Sequence, residues 1–354
     1  VSGVTTETPK SSSFSFPREE KGLFDRACSS REVEIFIHDE LQPDKGFDRL
    51  YDKAIDSLYK KLRRVLPNTF YGIHDFIEGG SIAKGTALKN NSDLDCVMVT
   101  KNIKDASQLR AKLPDVLCDL ENRLGSRIDL KWKLTFEKET PFSLQFNVSR
   151  FSHPKETIQV DLLPTFEANV EGEKFYKEML SDTKENWPYY SAALVKIQTD
   201  FVRELPANVK DLIRLVKYWH KTFISQTGGE HLLPYFLLEL LTIHAWENAN
   251  RPEEFDMRIG FKAVMEVLQN NRSLHVSWDR YFKRDLIPSR YIHEAILCGP
   301  YIIDPVNPTK NLYNDVNCWP KVKKAAKYTM WKPLLRNIQV TANWRQDSTD
   351  CVSM

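Results

Sequence analysis

Gly79-Gly80-Ser81-Ile82-Ala83-Lys84-Gly85-Thr86-Ala87-Leu88, followed by Asn91-Ser92-Asp93-Leu94-Asp95-Cys96-Val97-Met98-Val99, carries most of the information in this chain of 354 residues. The two glycines let the backbone approach a ligand closely. Ser81 is placed to cap a short helix, whose free N–H groups and dipole favour a phosphate. Asp93 and Asp95 open a strand, and period-two alternation turns both carboxylates to one face. Side by side they repel, and each resists ionising. A hard divalent cation such as Mg²⁺ removes that penalty.

A third acid lies downstream in Gln159-Val160-Asp161-Leu162-Leu163-Pro164. Ile158, Val160 and Leu162 alternate with it and take the buried face, so Asp161 points the other way with Gln159. Three carboxylates on adjacent strands can hold two metal ions about 3.5–4 Å apart. Such a pair activates an acceptor hydroxyl and steadies a departing pyrophosphate. Phosphoryl transfer asks mainly for positioning and charge neutralisation, so no protein nucleophile is required. A lone Gly-Ser or Asp-x-Asp is common in turns. The combination of Gly-Gly-Ser, a helix-length gap, Asp-x-Asp on a strand and a later Val-Asp on a strand is far more specific.

The flanking sequence sorts into two lobes. Residues 1–30 are Ser/Thr-rich and read mostly as a flexible tail, as do 346–354. A helical pattern starts near Ser30 with Val33, Ile35, Phe36 and Leu41. After Pro43 a second runs through Phe47, Leu50, Tyr51, Ala54, Ile55, Leu58 and Leu62. Ile128, Leu130, Trp132, Leu134 and Phe136 alternate with polar residues, and so do Leu144, Phe146 and Val148; these predict strands. Ser107 to Leu124 predicts a helix that stops before Gly125. From about Gly172 the period becomes helical and stays so. Leu212, Leu215, Val216 and Trp219 share one face, and Pro234 opens an almost wholly apolar helix over Tyr235 to Trp246. The expected architecture is an α+β lobe over 31–170 with a mixed or antiparallel sheet, then an all-α lobe over 171–345, with a cleft between them.

Bulk properties exclude several classes. The chain is 42% hydrophobic and 28% charged, with a net charge of +2, so any nucleic-acid surface has to be a local basic patch. Cys28, Cys96, Cys118, Cys298, Cys318 and Cys351 show no zinc spacing and read as free thiols of a reducing compartment. No apolar run reaches about 18 residues and no signal-peptide pattern opens the chain. These features point to a cytosolic or nuclear protein without a membrane segment.

The motif from Gly79 to Asp95 resembles that of the 2′-5′-oligoadenylate synthetase family, a branch of the polymerase-β-like nucleotidyltransferases that also includes cyclic GMP-AMP synthase. Phe36-Ile37-His38-Asp39-Glu40-Leu41-Gln42-Pro43-Asp44 resembles the family's opening helix. Leu212 to Trp219, Leu238 to Thr242, Ala245-Trp246-Glu247 and Ile303-Asp304-Pro305-Val306-Asn307-Pro308-Thr309 are similar too. The resemblance spans roughly residues 30–330. It implies a polymerase-β-like fold and synthesis of 2′-5′-linked oligoadenylates from ATP as an antiviral second messenger. It makes Asp93, Asp95 and Asp161 the catalytic trio around two Mg²⁺ ions, for which Mn²⁺ can substitute. Gly80 and Ser81 would hold the donor triphosphate, and Arg214 and Lys217 would grip its phosphates. By spacing alone, those two basic residues read as a solvated helix face. Tyr235 and Phe236 stand where the family has a Gln-Tyr pair on the donor base; their own pattern allows either base stacking or core packing.

The resemblance also implies double-stranded RNA as activator, bound on a basic face behind the cleft. Lys60, Arg64, Lys84, Arg203 and Lys210 are the candidates for that face. Against it, Glu78 stands where the family has a lysine, and Thr199, Ala207 and Asn208 replace basic or hydroxyl contacts. The region Tyr328-Thr329-Met330-Trp331-Lys332 does not match the Cys-Phe-Lys oligomerisation motif of mammalian members, which predicts a monomer. The altered Tyr235-Phe236 pair and the thinned RNA face keep a second product class open, a cyclic dinucleotide made by the same residues. His220 and His244 read as polar groups satisfied within the helical core rather than as catalysts.

Overall fold

The computed structural model describes residues 22–66, 69–89, 93–125, 128–170, 172–224, 233–283 and 299–345. Residues 1–21 and 346–354, read above as tails, lie outside the described residues, as does the side chain of Asp93.

A helix α1 (Ser30–Phe36) opens on a capping box: the Ser29 hydroxyl accepts from the Glu32 amide, and the Glu32 carboxylate accepts in return from the Ser29 amide. It runs on into a π-helical turn, Ile37–Leu41, and is followed by α2 (Lys45–Val65). The sheet then begins with β1 (Ile73–Glu78), α3 (Gly80–Lys84) and β2 (Asp93–Thr100). Next come α4 (Ala106–Leu124), β3 (Trp132–Glu139), β4 (Leu144–Arg150) and β5 (His153–Thr165). Strand order is β1-β2-β5-β4-β3. The β2–β5 pair is parallel and the others are antiparallel, so the sheet is mixed as expected.

The α4 helix starts on Asp105, whose carboxylate accepts from the Gln108 amide, and stops at Gly125. Its apolar face packs with α2 under the sheet, where Leu94, Cys96, Met98, Phe146, Val160 and Leu162 are buried. That burial turns the odd-numbered residues of β2 and β5 outward, toward the second lobe.

One expected strand starts late. Leu130, counted in the β3 alternation, is 88% exposed. The Asp129 carboxylate accepts from the amides of Lys131 and Trp132, a local turn that delays strand pairing to Trp132.

Among the described residues the second lobe has α5 (Lys174–Ser181), α6 (Tyr190–Ala193), α7 (Val195–Arg203), α8 (Ala207–Phe223), α9 (Tyr235–Asn248), α10 (Met257–Gln269) and α11 (Trp319–Met330). It is nearly all helical. Among the described residues the exceptions are a two-stranded parallel ladder, β6 (His275–Val276) with β7 (Tyr301–Ile302), and a bridge between Ile303 and Asn311.

The first described residues, from Leu23 to Leu41, belong to this second lobe, not to the sheet. Val33, Ile37 and Leu41 join the core of α8, α9 and α10. Leu23 and Phe24, assigned above to the tail, are buried there too. Phe24 stacks between Tyr218 and Phe261, at centroid distances of 5.6 and 5.7 Å. The two aromatic contacts, together with Leu23, supply enough apolar burial to order a segment whose composition reads as polar.

Candidate active site

The parallel β2–β5 register places Asp95 directly beside Asp161, and Asp93 beside Gln159. Neighbouring strands lie about 4.8 Å apart, so the Asp95 and Asp161 carboxylates share one small region of the exposed face. Asp161 is fixed from the next strand. Its Oδ1 accepts from the Ser143 hydroxyl at 3.1 Å and its Oδ2 from the Gln145 amide at 2.9 Å. Both are side-chain donors to one carboxylate, so they fix the direction in which it points. Neither was singled out from sequence; Gln145 is the cross-strand partner of Asp161, a placement that only the register reveals.

The Gly79-Gly80 turn is packed against the same carboxylates. The Gly79 amide donates to the Asp95 carbonyl at 2.7 Å. A Cβ on Gly79 would stand 2.6 Å from Val195 Cγ1 at the start of α7. Gly80 has φ +71° and a Cβ there would meet Asp95 Oδ2 at 3.1 Å. Glycine is therefore required twice, once for close approach and once for a left-handed backbone. The residue preceding α3 is Gly79, so Ser81 does not cap the helix; it sits one position inside the first turn, and its carbonyl accepts from the Thr86 amide.

The basic residues expected at the donor phosphates are buried. Lys217 is 1% exposed, and its ammonium donates to Glu239 Oε1 at 2.7 Å and to Thr86 Oγ1 at 3.0 Å. Lys84, expected on an RNA-binding surface, is 6% exposed and donates to Glu239 Oε2 at 3.1 Å. Lys84 is therefore withdrawn from the RNA candidates. It ties the end of α3 to α9. Burial by itself would push the Glu239 carboxyl up, but Lys217 and Lys84 outweigh that and hold it at about 2. Arg214, 12% exposed at its side chain, donates to the carbonyls of Ala87 and Gly85 and to Asp211. The solvated face that spacing suggested for Arg214 and Lys217 is not what forms. Both brace the segment that follows α3.

Tyr235 and Phe236 are half-buried at the start of α9 and lie over these cations. The Lys84 ammonium is 4.2 Å from the Phe236 ring centre and that of Lys217 is 5.3 Å from Tyr235. The Tyr235 ring also meets His220 edge-on at 5.8 Å. His220 differs from expectation, since neither ring nitrogen has a hydrogen-bond partner among the described residues. Burial, with a smaller effect of Lys321, lowers it to about 4 and keeps it neutral.

The remaining RNA candidates form two patches. Lys60 and Arg64 are exposed on α2, with Lys60 paired to Asp56. Arg203 pairs with Asp200, and Lys210 donates to the Arg203 carbonyl. Arg203 opens onto a groove of ≈ 490 Å³ that Asp75, Glu78, Lys196 and Asp200 also line, so charge there is mixed. Burial, helped by Asp52, pushes the Glu78 carboxyl up.

The residue chemistry fits a hard divalent cation. Asp95 and Asp161 offer adjacent carboxylate oxygens, and Ser143 and Gln145 leave the second lone pairs of Asp161 available. Among the described residues no group of three acids, histidines or cysteines is gathered tightly enough to cage an ion by itself; the Asp93 side chain is outside that set.

Comparison with known proteins agrees with this geometry. The family profile "2′-5′-oligoadenylate synthetase 1, domain 2, C-terminus" matches residues 170–348, and a nucleotidyltransferase domain profile matches 59–152. The chain belongs to the 2′-5′-oligoadenylate synthetase family. Among its relatives, 2′-5′-oligoadenylate synthase 1A of Mus musculus is 27% identical over 340 residues, spanning 89% of this chain and 90% of that protein. Synthase 3 of Rattus norvegicus is 28% identical over 316 residues, spanning 85% of this chain and 28% of that one. Synthase 2 of Mus musculus is 28% identical over 319 residues, spanning 84% of this chain and 43% of that one, so the chain covers less than half of these longer relatives. In fold it is similar to E. coli MS115-1 CdnC with ATP, at TM-score 0.55, 18% identity and coverage of 86% and 89%. It is similar also to the Cid1 poly(U) polymerase with MgGTP, at TM-score 0.57, 12% identity and coverage of 90% and 98%. Fold and family together give this synthetase-family chain the nucleotidyltransferase domain fold, with a polymerase-β-like sheet. No helix among its described residues is long and apolar enough to cross a membrane.

Proposed function

We propose that the chain is a divalent-metal-dependent nucleotidyltransferase that joins ATP into 2′-5′-linked oligoadenylates and releases pyrophosphate. The observation that carries this reading is the register that sets Asp95 against Asp161 beneath the Gly79-Gly80 turn. Asp93, Asp95 and Asp161 would hold Mg²⁺ or Mn²⁺. Such an ion, when bound, supplies charge neutralisation at the triphosphate and acidifies a nearby hydroxyl. The acceptor 2′-hydroxyl sits at Asp161, its proton passing toward that carboxylate and solvent. Its oxygen bonds to the α-phosphorus of the donor as the α–β phosphoanhydride bond breaks. Ser143 and Gln145 keep Asp161 facing that oxygen. The glycine turn and Ser81 receive the triphosphate; Arg214, Lys217 and Thr86 set the backbone behind it. Tyr235 and Phe236 border the donor base.

Duplex RNA is the activator this reading implies, and the product then serves as a second messenger in antiviral defence. Lys60, Arg64, Arg203 and Lys210 are the phosphate contacts it leaves after Lys84 is withdrawn. RNA read in this way is recognised by shape and backbone, not sequence. A cyclic dinucleotide is the second reading. It is favoured by Tyr235 standing where the family has Gln, and by Asp75, Glu78 and Asp200 beside Arg203. One incubation separates the two. The chain is mixed with all four NTPs and Mg²⁺ or Mn²⁺, with and without duplex RNA, and the products are treated with phosphatase and a 3′-5′-specific nuclease. A linear 2′-5′ product loses a terminal triphosphate and resists the nuclease; a cyclic one has no terminal phosphate to lose. Failure to consume any NTP under any condition would overturn both.

A further inference from the structure

A cavity of ≈ 440 Å³ lies within the helical lobe and takes no part in the roles assigned so far. It sits near the C-terminal ends of both α9 and α10. Small side chains make the room: Ala245 and Ala249, one turn apart on α9, and Ala263 on α10. Residues 340–344 close it from a third side, and that wall is fixed. The Trp344 ring is buried against Gly260, where a Cβ would stand 3.0 Å from it, and meets Phe255 edge-on at 5.1 Å. The Trp344 backbone has φ +53°, a left-handed conformation that is unfavourable for a bulky residue. The Asp256 amide donates to the Trp344 carbonyl at 2.9 Å, and the Trp344 amide donates to the Thr341 carbonyl at 3.2 Å. Backbone strain of this kind concentrates at ligand clamps.

The charge in this cavity has one sign. Glu266 lines it, and among the described residues no lysine or arginine does. The Glu266 carboxylate has no hydrogen-bond or ion-pair partner among the described residues. Lys262, one turn earlier on α10, donates instead to the carbonyls of Leu335 and Ile338. Burial pushes the Glu266 carboxyl up, and Lys262 opposes this only in part. Both helices turn their C-terminal ends this way, each carrying about half a negative charge. His244 adds no positive charge. Its ring is 3.0 Å from the Asn248 side-chain amide, and burial, opposed by Glu247, lowers its pKa and favours the neutral form. Val267, Leu274 and Trp344 extend the apolar floor beside the alanines. A carboxylate without a cation, set above an apolar floor, matches a ligand with the complementary halves.

We infer that this cavity binds a small organic cation, an ammonium group on an apolar body, with Glu266 as its counter-charge. The ammonium donates to the Glu266 carboxylate, and the body lies against the alanines and Trp344. Asn248 of this cavity and Tyr235 stand at opposite ends of α9, about 20 Å apart along the helix. The inference therefore does not depend on the nucleotidyltransferase reading above.

The test titrates the full chain by calorimetry with tryptamine and its neutral counterpart tryptophol, and with phenethylamine and 2-phenylethanol as a smaller pair. Each amine should bind the wild-type chain about tenfold or more tighter than its alcohol, the scale of a hydrogen bond to a charged group. Glu266→Gln keeps the shape and removes the charge, so it should bring that ratio close to one by weakening the amines alone. Ala249→Leu fills the space and should weaken all four ligands. If Ala249→Leu folds poorly, Glu266→Gln decides the matter alone, because its side chain has no ion pair to lose among the described residues. No binding of either amine at millimolar concentration, equal binding of amine and alcohol, or a preference for the amine that survives Glu266→Gln would each overturn the inference.

Discussion

At the scale of single residues, two acids do different work. The proposed reaction needs Asp161 outward and held, and the Ser143 hydroxyl and the Gln145 amide hold it. Removing the Ser143 hydroxyl or the Gln145 amide takes away one hydrogen bond to a charged acceptor, worth about 1.5–3 kcal/mol. Ser143→Ala and Gln145→Leu should therefore each lower kcat by about tenfold or more, against near-complete loss for Asp161→Asn. Steady-state rates of pyrophosphate release would show this ranking; an unchanged kcat in both positioning variants would mean that Asp161 is aimed by something else. Glu239 is the second acid. It is 1% exposed and shared by two lysines. Its carboxyl lies at about 2, below an ordinary value of 4.5. A depressed carboxylate stabilises the fold above its unfolded pKa and loses that contribution as pH falls through the folded one. The window is thus from about 4.5 down to about 2, and the shift corresponds to roughly 3 kcal/mol. Denaturant unfolding at several pH values should show this part of the acid sensitivity in the wild-type chain and not in Glu239→Gln. Parallel curves for the two proteins would rule the linkage out.

At the scale of elements, α3 is a five-residue helix with too few bonds to stand alone. It is held at both ends. Gly79 lets its start press on Val195 of α7, and Lys84 anchors its end to Glu239 of α9. A methyl at position 79 has to displace a stiff β-branched side chain, which costs about 1–3 kcal/mol. Gly79→Ala should lower both stability and activity, and adding Val195→Ala should restore much of each. A double-mutant cycle measures this, with a coupling of about 1 kcal/mol or more expected; strict additivity would show that the two residues do not touch. These elements also show how much sequence can reveal. Asp95 and Asp161 were legible because strand alternation assigns a face without knowledge of the partner strand, and the apolar neighbours Leu94, Val160 and Leu162 mark the other face. Lys84 and Lys217 were not legible. Helical spacing marks a lysine as outward unless a carboxylate waits inside, and Glu239 reaches them from another helix. Ser143 and Gln145 escaped for a similar reason, since cross-strand register is a tertiary fact. Leu130 misled because an Asp129 turn competes locally with the ladder that alternation predicts.

At the scale of the whole molecule, the first and last described segments both close on the helical lobe. The Phe24 carbonyl accepts from the Leu334 amide and Asp25 pairs with Lys332, while the Arg258 guanidinium donates to the Cys28 carbonyl. With Lys84 joining α3 to α9, the Gly79-Gly80 turn is continuous with that lobe's core, and a ligand laid across both lobes can bear on it. Duplex RNA, if it is that ligand, should be detected electrostatically. Each phosphate contact contributes about one unit to the slope of log affinity against log salt concentration. Arg203→Ala with Lys210→Ala should therefore flatten the slope by about two, and Lys60→Ala with Arg64→Ala should do likewise on the other lobe. Lys84→Ala serves as the contrasting variant. Its ammonium is spent on Glu239, so it should lower the unfolding midpoint and leave the slope unchanged. Titration of a fluorescent duplex at several salt concentrations, alongside thermal unfolding, tests all three. A slope that falls with Lys84→Ala would mean that the ion pair opens when RNA binds. Slopes indifferent to Arg203, Lys210, Lys60 and Arg64 would move the RNA surface elsewhere, with the lysines of α11 the next basic face to examine.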